Sequence, residues 1–224
     1  MKRINLETLW LCARGKLRGI QFIYFILIWF PLSLFAAPAF QVGKDYQILS
    51  QSTPVQAGQK ITVVEFFSYG CPWCFKLEPV LDAWKKPANV DFSRVPMAFE
   101  SGWTILARAY YMAEGLGVEP KLTPILFNAI HVNNQTIDDP KTLAALFAQA
   151  GVSQANFDAA YSHAPSVDAQ MAQGEALATQ DQIYAIPAFV INGQYKTDLE
   201  MSSGDPKRLM DVVSYLIQLS ETKQ

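Results

Sequence analysis

"FFSYGCPWCFKLEP", residues 66–79, decides how the rest of the chain is read. It sets two of the three cysteines, Cys71 and Cys74, three positions apart where an apolar run gives way to a helical pattern. Upstream, "ITVVEFFSY" (61–69) is rich in β-branched and aromatic residues and reads as a largely buried strand. Downstream, Leu77, Val80, Leu81 and Trp84 fall at i, i+3, i+4 and i+7, one apolar face of a helix running toward Pro87. Pro72 suits the first turn of that helix, where its missing N–H costs nothing, whereas Pro79 removes a bond from the ladder.

Working outward, "VDFSRVPM" (90–97) reads as a second strand, and strand, helix, strand with short connections implies a parallel pair with a right-handed crossover. From about Ser101 to Gln182 the pattern is helical, with starts expected at Asp139-Pro140, Ser153 and Pro165. "AIPAFVINGQYKTD" then reads as a hairpin turning at Asn192-Gly193, and Asp205-Pro206 opens a last helix with Leu209, Val212, Val213 and Leu216 on one face. The outline is β-α-β, a block of helices, then β-β-α. No linker separates the block, so it reads as an insertion docked on the sheet: residues 40–98 and 183–224 form the α/β part and 99–182 the helical part.

Residues 1–39 differ in character from the remainder of the chain. Lys2, Arg3, Arg14, Lys16 and Arg18 precede an uncharged, mostly apolar stretch from Ile20 to Phe35, and Ala37-Pro38-Ala39 fits an A-x-A cleavage site. That is the layout of a signal peptide; the competing reading is an uncleaved membrane anchor, opposed by Pro31, Ser33 and a stretch short of ~18 apolar residues. Cleavage after Ala39 removes Cys12, five basic residues and Glu7, which takes the net charge from −2 to −6. A mildly acidic domain lacks the footprint of a nucleic-acid binder.

Only Cys71 and Cys74 then remain, and one pair closing a tiny loop restrains an unfolded chain too little to serve as a staple. A structural metal site needs four ligands, and His131 and His163 stand 32 residues apart without chelating spacing, so no metal is expected. Redox chemistry fits better. Only a thiolate attacks a disulfide, and Cys71 at a helix N-terminus meets free N–H groups and the positive end of the dipole, which lower its pKa. Cys71 is expected to be exposed. Cys74, one turn further in, is expected to be covered and able to resolve a mixed disulfide on Cys71.

This order of elements, with "VVEFFSYGCPWC" followed some 110 residues later by "AIPAFVING", resembles a thioredoxin-like fold carrying the helical insertion of the DsbA family of periplasmic thiol-disulfide oxidoreductases. The resemblance implies a redox-active Cys71-Cys74 disulfide. It also implies a cis-proline at Pro187 beside the dithiol, an Ile186 backbone offered to an extended substrate, and Pro72 and Trp73 facing that substrate. Glu65 shares a strand face with Val63 and Phe67, so it is either a buried carboxylate with a raised pKa or a strand-edge residue. In the family the matching acid moves the proton of the second cysteine, here Cys74. Glu78 reads as a solvated helix residue. The departure is Trp73, where the best-known oxidases have histidine; without that positive partner an intermediate reduction potential is expected.

The expected function is a protein disulfide oxidase needing no cofactor. Oxidised Cys71-Cys74 takes electrons from reduced exported proteins, and a DsbB-like membrane quinone reductase restores it. The expected location is the periplasm, as monomer or homodimer. Two alternatives stand beside it. One is an isomerase or reductase on the same fold, although only about 20 residues separate Phe40 from Ile61, too few for a separate dimerisation domain of ~50 residues. The other is a holdase for unfolded exported chains, with Met97, Phe99, Trp103, Tyr110, Tyr111 and Met112 lining a groove.

Overall fold

The computed structural model describes residues 40–49 and 59–222; the leader expected at 1–39, with Cys12, lies outside the described residues. The strand expected at 61–69 is β2, Ile61–Phe67, and it stops where Ser68 and Gly70 begin the approach to the cysteines. Helix α1, Pro72–Ala83, comes next with Cys71 as its N-cap. It runs through Pro79 and ends short of Pro87, because Trp84 turns to extended backbone. Strand β3, Val90–Pro96, completes the βαβ unit, paired parallel to β2 in a register from Ile61 opposite Val90 to Phe67 opposite Pro96.

Five helices come after β3: α2 (Trp103–Gly115), α3 (Glu119–His131), α4 (Pro140–Gln149), α5 (Gln154–Ser162) and α6 (Ala164–Gln180). Asp139 accepts from the Lys141 and Thr142 N–H groups and Ser153 from that of Asn156, so the expected caps of α4 and α5 are made. The chain then returns through β4 (Ala188–Ile191) and β5 (Tyr195–Asp198) to α7 (Pro206–Glu221), capped by Asp205. Asn192 and Gly193 turn the hairpin with positive φ, the conformation that an Asn-Gly pair adopts readily. With the short β1 (Gln47–Ile48) the sheet order is β1-β5-β4-β2-β3. This is the thioredoxin-like α/β fold, with helices α2–α6 inserted between β3 and β4.

One face of the sheet buries Val63, Phe189 and Ile191 against Leu77 of α1 and Leu209, Val213 and Leu216 of α7. The other face sets Phe66, Val95 and Val190 against Ala178 of α6. A third apolar cluster fills the helical block and reaches the sheet at Phe67 and Tyr69, and both cysteines belong to it. The dithiol therefore stands on the seam between sheet and block. That seam also corrects the groove read from the sequence: Met97, Tyr110, Tyr111 and Met112 are core, Trp103 is half-buried, and only Phe99, at 47% exposure, faces solvent.

Candidate active site

Strand β2, interior to the sheet, delivers the chain to the C-terminal end of the parallel pair, where Ser68 turns it. The Cys71 N–H donates to the Ser68 carbonyl at 3.1 Å and the Gly70 N–H to Ser68 Oγ at 3.2 Å. Gly70 is required by close approach: a Cβ there would overlap the Trp103 indole of α2. Cys71 thus becomes the N-cap, in extended backbone, with Sγ turned back to accept the Cys74 N–H at 3.3 Å.

Across the gap, the Ile186–Pro187 peptide bond is cis and the Ile186 carbonyl lies 3.7 Å from Cys71 Sγ. Pro187 leads into β4, an interior strand of the sheet. Folding in this way corrects one expectation: Cys71 retains only 4% exposure, because the capping sulfur bends over the helix end and lies against Ile186. Cys74 is fully covered, as expected. Trp73 remains 44% exposed, with Lys76 Nζ 3.9 Å over its ring, and Pro72 is exposed beside it. Trp73, Ile186, Pro187 and Leu199 line a shallow hollow of about 280 Å³.

The two thiols are pushed in opposite directions. Cys71 is lowered to about 7, first by the hydrogen bond from the Cys74 thiol, then by backbone N–H groups of Cys74 and Trp73, all outweighing the effect of burial. Cys74 is raised well above an ordinary thiol by burial, by its bond to the Cys71 sulfur and by the charge of Glu65.

Glu65 is fully buried, on the sheet face that α1 covers, and stands opposite Arg94 in the β2–β3 register. Arg94 Nε lies 2.8 Å from Glu65 Oε2, an ion pair whose angle falls outside a directed hydrogen bond. Glu65 Oε1 has no hydrogen-bond partner among the described residues. Arg94 also pairs with Glu78, lies 3.9 Å from Glu119 and covers the Phe67 ring. One guanidinium against three carboxylates leaves the cluster short of positive charge. Burial, aided by Glu78 and Glu119, consequently pushes Glu65 up to about 7 in spite of Arg94. Glu78 is not the solvated residue expected: its side chain is mostly covered and its pKa is raised by burial.

Sequence reasoning missed Arg94, and one signal could have found it. Glu65, the lone charge of β2, and Arg94, the lone basic residue of β3, stand the same distance from their strand starts, so simple in-register pairing places them side by side. No group of residues able to hold a metal ion occurs among the described residues.

Residues 81–215 match the family model of the DSBA-like thioredoxin domain. The thiol:disulfide interchange protein DsbA of Azotobacter vinelandii is 37% identical over 186 residues, 82% of this chain and 86% of that protein. The protein of the same name from Burkholderia cepacia is 35% identical over 84% of this chain and 89% of its own. The crystal structure of Pseudomonas aeruginosa DsbA superposes with a TM-score of 0.74 at 33% identity, covering 82% of this chain and 95% of that one. That of the oxidoreductase DsbA from Xylella fastidiosa gives 0.72 at 30%, covering 81% and 98%.

Proposed function

Because the chain belongs to the DsbA family of thiol-disulfide oxidoreductases, we propose that Cys71 is its attacking and attacked sulfur, Cys74 its resolving thiol and Glu65 the group that moves the Cys74 proton. The observation that carries this reading is the split between two thiols one turn apart: Cys71 held toward the anion at the α1 N-cap, Cys74 held neutral beneath it.

In the oxidised protein a substrate thiolate attacks Cys71 sulfur, forming the mixed disulfide and breaking the Cys71–Cys74 bond. Cys74, a poor leaving group as a bare thiolate, takes a proton from Glu65, which carries one about half the time near pH 7. A second substrate thiolate then attacks the substrate sulfur. It forms the substrate disulfide and expels Cys71 as a thiolate, which the helix end stabilises. Two electrons have moved from the substrate to the protein. Re-oxidation runs the same steps backward, with Glu65 as base toward Cys74. Ile186 offers its backbone to the substrate in the manner of an added strand, with Pro72, Trp73 and Pro187 forming the surface beside it.

The leader at 1–39 fits export to the periplasm, where reduced exported proteins would be the substrates and a DsbB-like membrane quinone reductase the re-oxidant. Among the described residues no helix is long and apolar enough to cross a membrane. The reading is tested by mixing the oxidised mature chain with a reduced protein that needs disulfides to fold. Stoichiometric appearance of substrate disulfide as Cys71-Cys74 becomes reduced supports it. Electron flow in the opposite direction under the same conditions, with the protein reducing substrate disulfides, would make it a reductase.

A further inference from the structure

Among the contacts by which the helical block holds the dithiol loop is one from a residue that the sequence offered only as a failed metal ligand. His131 closes α3, and its Nε2 lies 2.8 Å from the Tyr69 carbonyl, two residues before Cys71. A carbonyl can only accept, so Nε2 carries the hydrogen. The same ring stacks on Phe75, the residue after Cys74, with centroids 5.0 Å apart and planes inclined by 14°. One imidazole therefore touches both flanks of Cys-Pro-Trp-Cys. Helix α3 also grips Tyr69 at its far end, where the phenol lies 2.8 Å from Thr123 Oγ1.

The Tyr69 carbonyl belongs to the peptide that leads into Gly70 and then into the capping sulfur. Tyr69 is 1% exposed, so this carbonyl has little access to water and turns when it loses its donor, or stays at a cost. Turning it rotates the next peptide plane and carries Cys71 away from the Cys74 N–H, which its sulfur meets at 3.3 Å. We infer that His131 is a positioning residue for the thiol exchange: by donating to the Tyr69 carbonyl it fixes the Cys71 cap and so sets how readily Cys71 forms a thiolate. This rests on the reading of Cys71 as the attacking thiol.

The test compares the reduced mature protein with His131→Phe, which keeps the ring stack and loses the donor, and His131→Gln, whose amide can donate from nearly the Nε2 position. Each is alkylated at pH 6, well below its melting temperature, with labelling of Cys71 followed by mass spectrometry. At that pH the wild-type Cys71 is mostly protonated, so the rate tracks its thiolate fraction. Cys71 of His131→Phe is expected to react about three- to tenfold more slowly, a shift of up to about one pKa unit, with His131→Gln within about twofold of wild type. A role confined to stability would lower the melting temperatures and leave these folded-state rates alone. Equal rates in wild type and His131→Phe, or a folded His131→Gln as slow as the Phe variant, would overturn the inference. A wild type no faster than a free cysteine would overturn the reading of Cys71 as well, which separates the two failures.

Discussion

The mouth of α1 and the ground beneath it treat their sulfurs in opposite ways. At the mouth, Cys71 takes the hydrogen bond of the Cys74 thiol and meets N–H groups aimed outward along the helix axis, and its thiol falls to about 7. Beneath it, Cys74 faces a buried region where one arginine serves three carboxylates, and its thiol rises. Three positions of one helix thus separate a sulfur built to carry charge from one built to avoid it. The lesson is that a dithiol is made asymmetric by the bond between its two sulfurs together with which end of a helix and which stratum of the core each sulfur occupies.

The largest effect comes from removing one side of that asymmetry. Cys71→Ser should abolish disulfide formation in a reduced test protein, whereas Cys74→Ser, offered a partner that already carries a disulfide, should accumulate the mixed disulfide that its Cys71 thiolate forms as it displaces one partner thiolate, visible on a non-reducing gel. Mixed disulfide forming on position 74 of Cys71→Ser as fast as on Cys71 would show that the two sites are equivalent.

Next is the ground beneath. Arg94→Met leaves Glu65 and Glu78 buried without their cation and should cost about 3–5 kcal/mol at pH 8 by denaturant unfolding. The loss should shrink at pH 5, where the carboxyls take up protons instead. Glu65→Gln sharpens the same point. The folded pKa of Glu65, about 7, lies above the ordinary 4.5, so folding takes up a proton between those values and wild-type stability falls as pH rises through that window. Relative to wild type, the Gln variant should gain about 3 kcal/mol between pH 4.5 and pH 8, and a pH-independent difference would remove Glu65 from the proton account.

The smallest expected effect is at the mouth. Trp73 supplies an apolar, half-exposed face and no formal charge of its own toward Cys71. The reduction potential of the wild type should therefore fall between about −270 mV, typical of thioredoxin, and about −120 mV, typical of DsbA. Trp73→His should raise it by about 30 mV for each unit by which it lowers the Cys71 pKa. A glutathione equilibrium that leaves the potential unmoved would show that the helix end alone sets the poise.

The mouth was legible in the sequence, and so were Cys74 and Glu65 beneath it, but not the charges around Glu65, for a physical reason. Cys71, Pro72 and the i, i+3, i+4 pattern of Leu77, Val80 and Leu81 state a helix start and its apolar face within a dozen residues. Pro187 was reachable only because "AIPAFVING" resembles a known family; nothing local says that Ile186 comes to lie against Cys71. Glu78 meets Arg94 through the rotation of α1 over the sheet, which spacing along the chain does not contain. His131 is further still. In the sequence it stood out only as a histidine without chelating spacing, and its contact with Tyr69 depends on how the helical block docks. The expected exposure of Cys71 failed for a local reason: a capping side chain bends back over the helix it caps, so the position that makes a sulfur acidic also covers it.

Alkylation of the reduced, folded protein across pH 5 to 9, with each cysteine quantified separately by mass spectrometry, tests the division of labour most directly. Half-maximal modification of Cys71 near pH 7, with Cys74 still unmodified at pH 8, is the expected result. Equal labelling of both, or a Cys71 midpoint near the ~8.5 of a free cysteine, would contradict it.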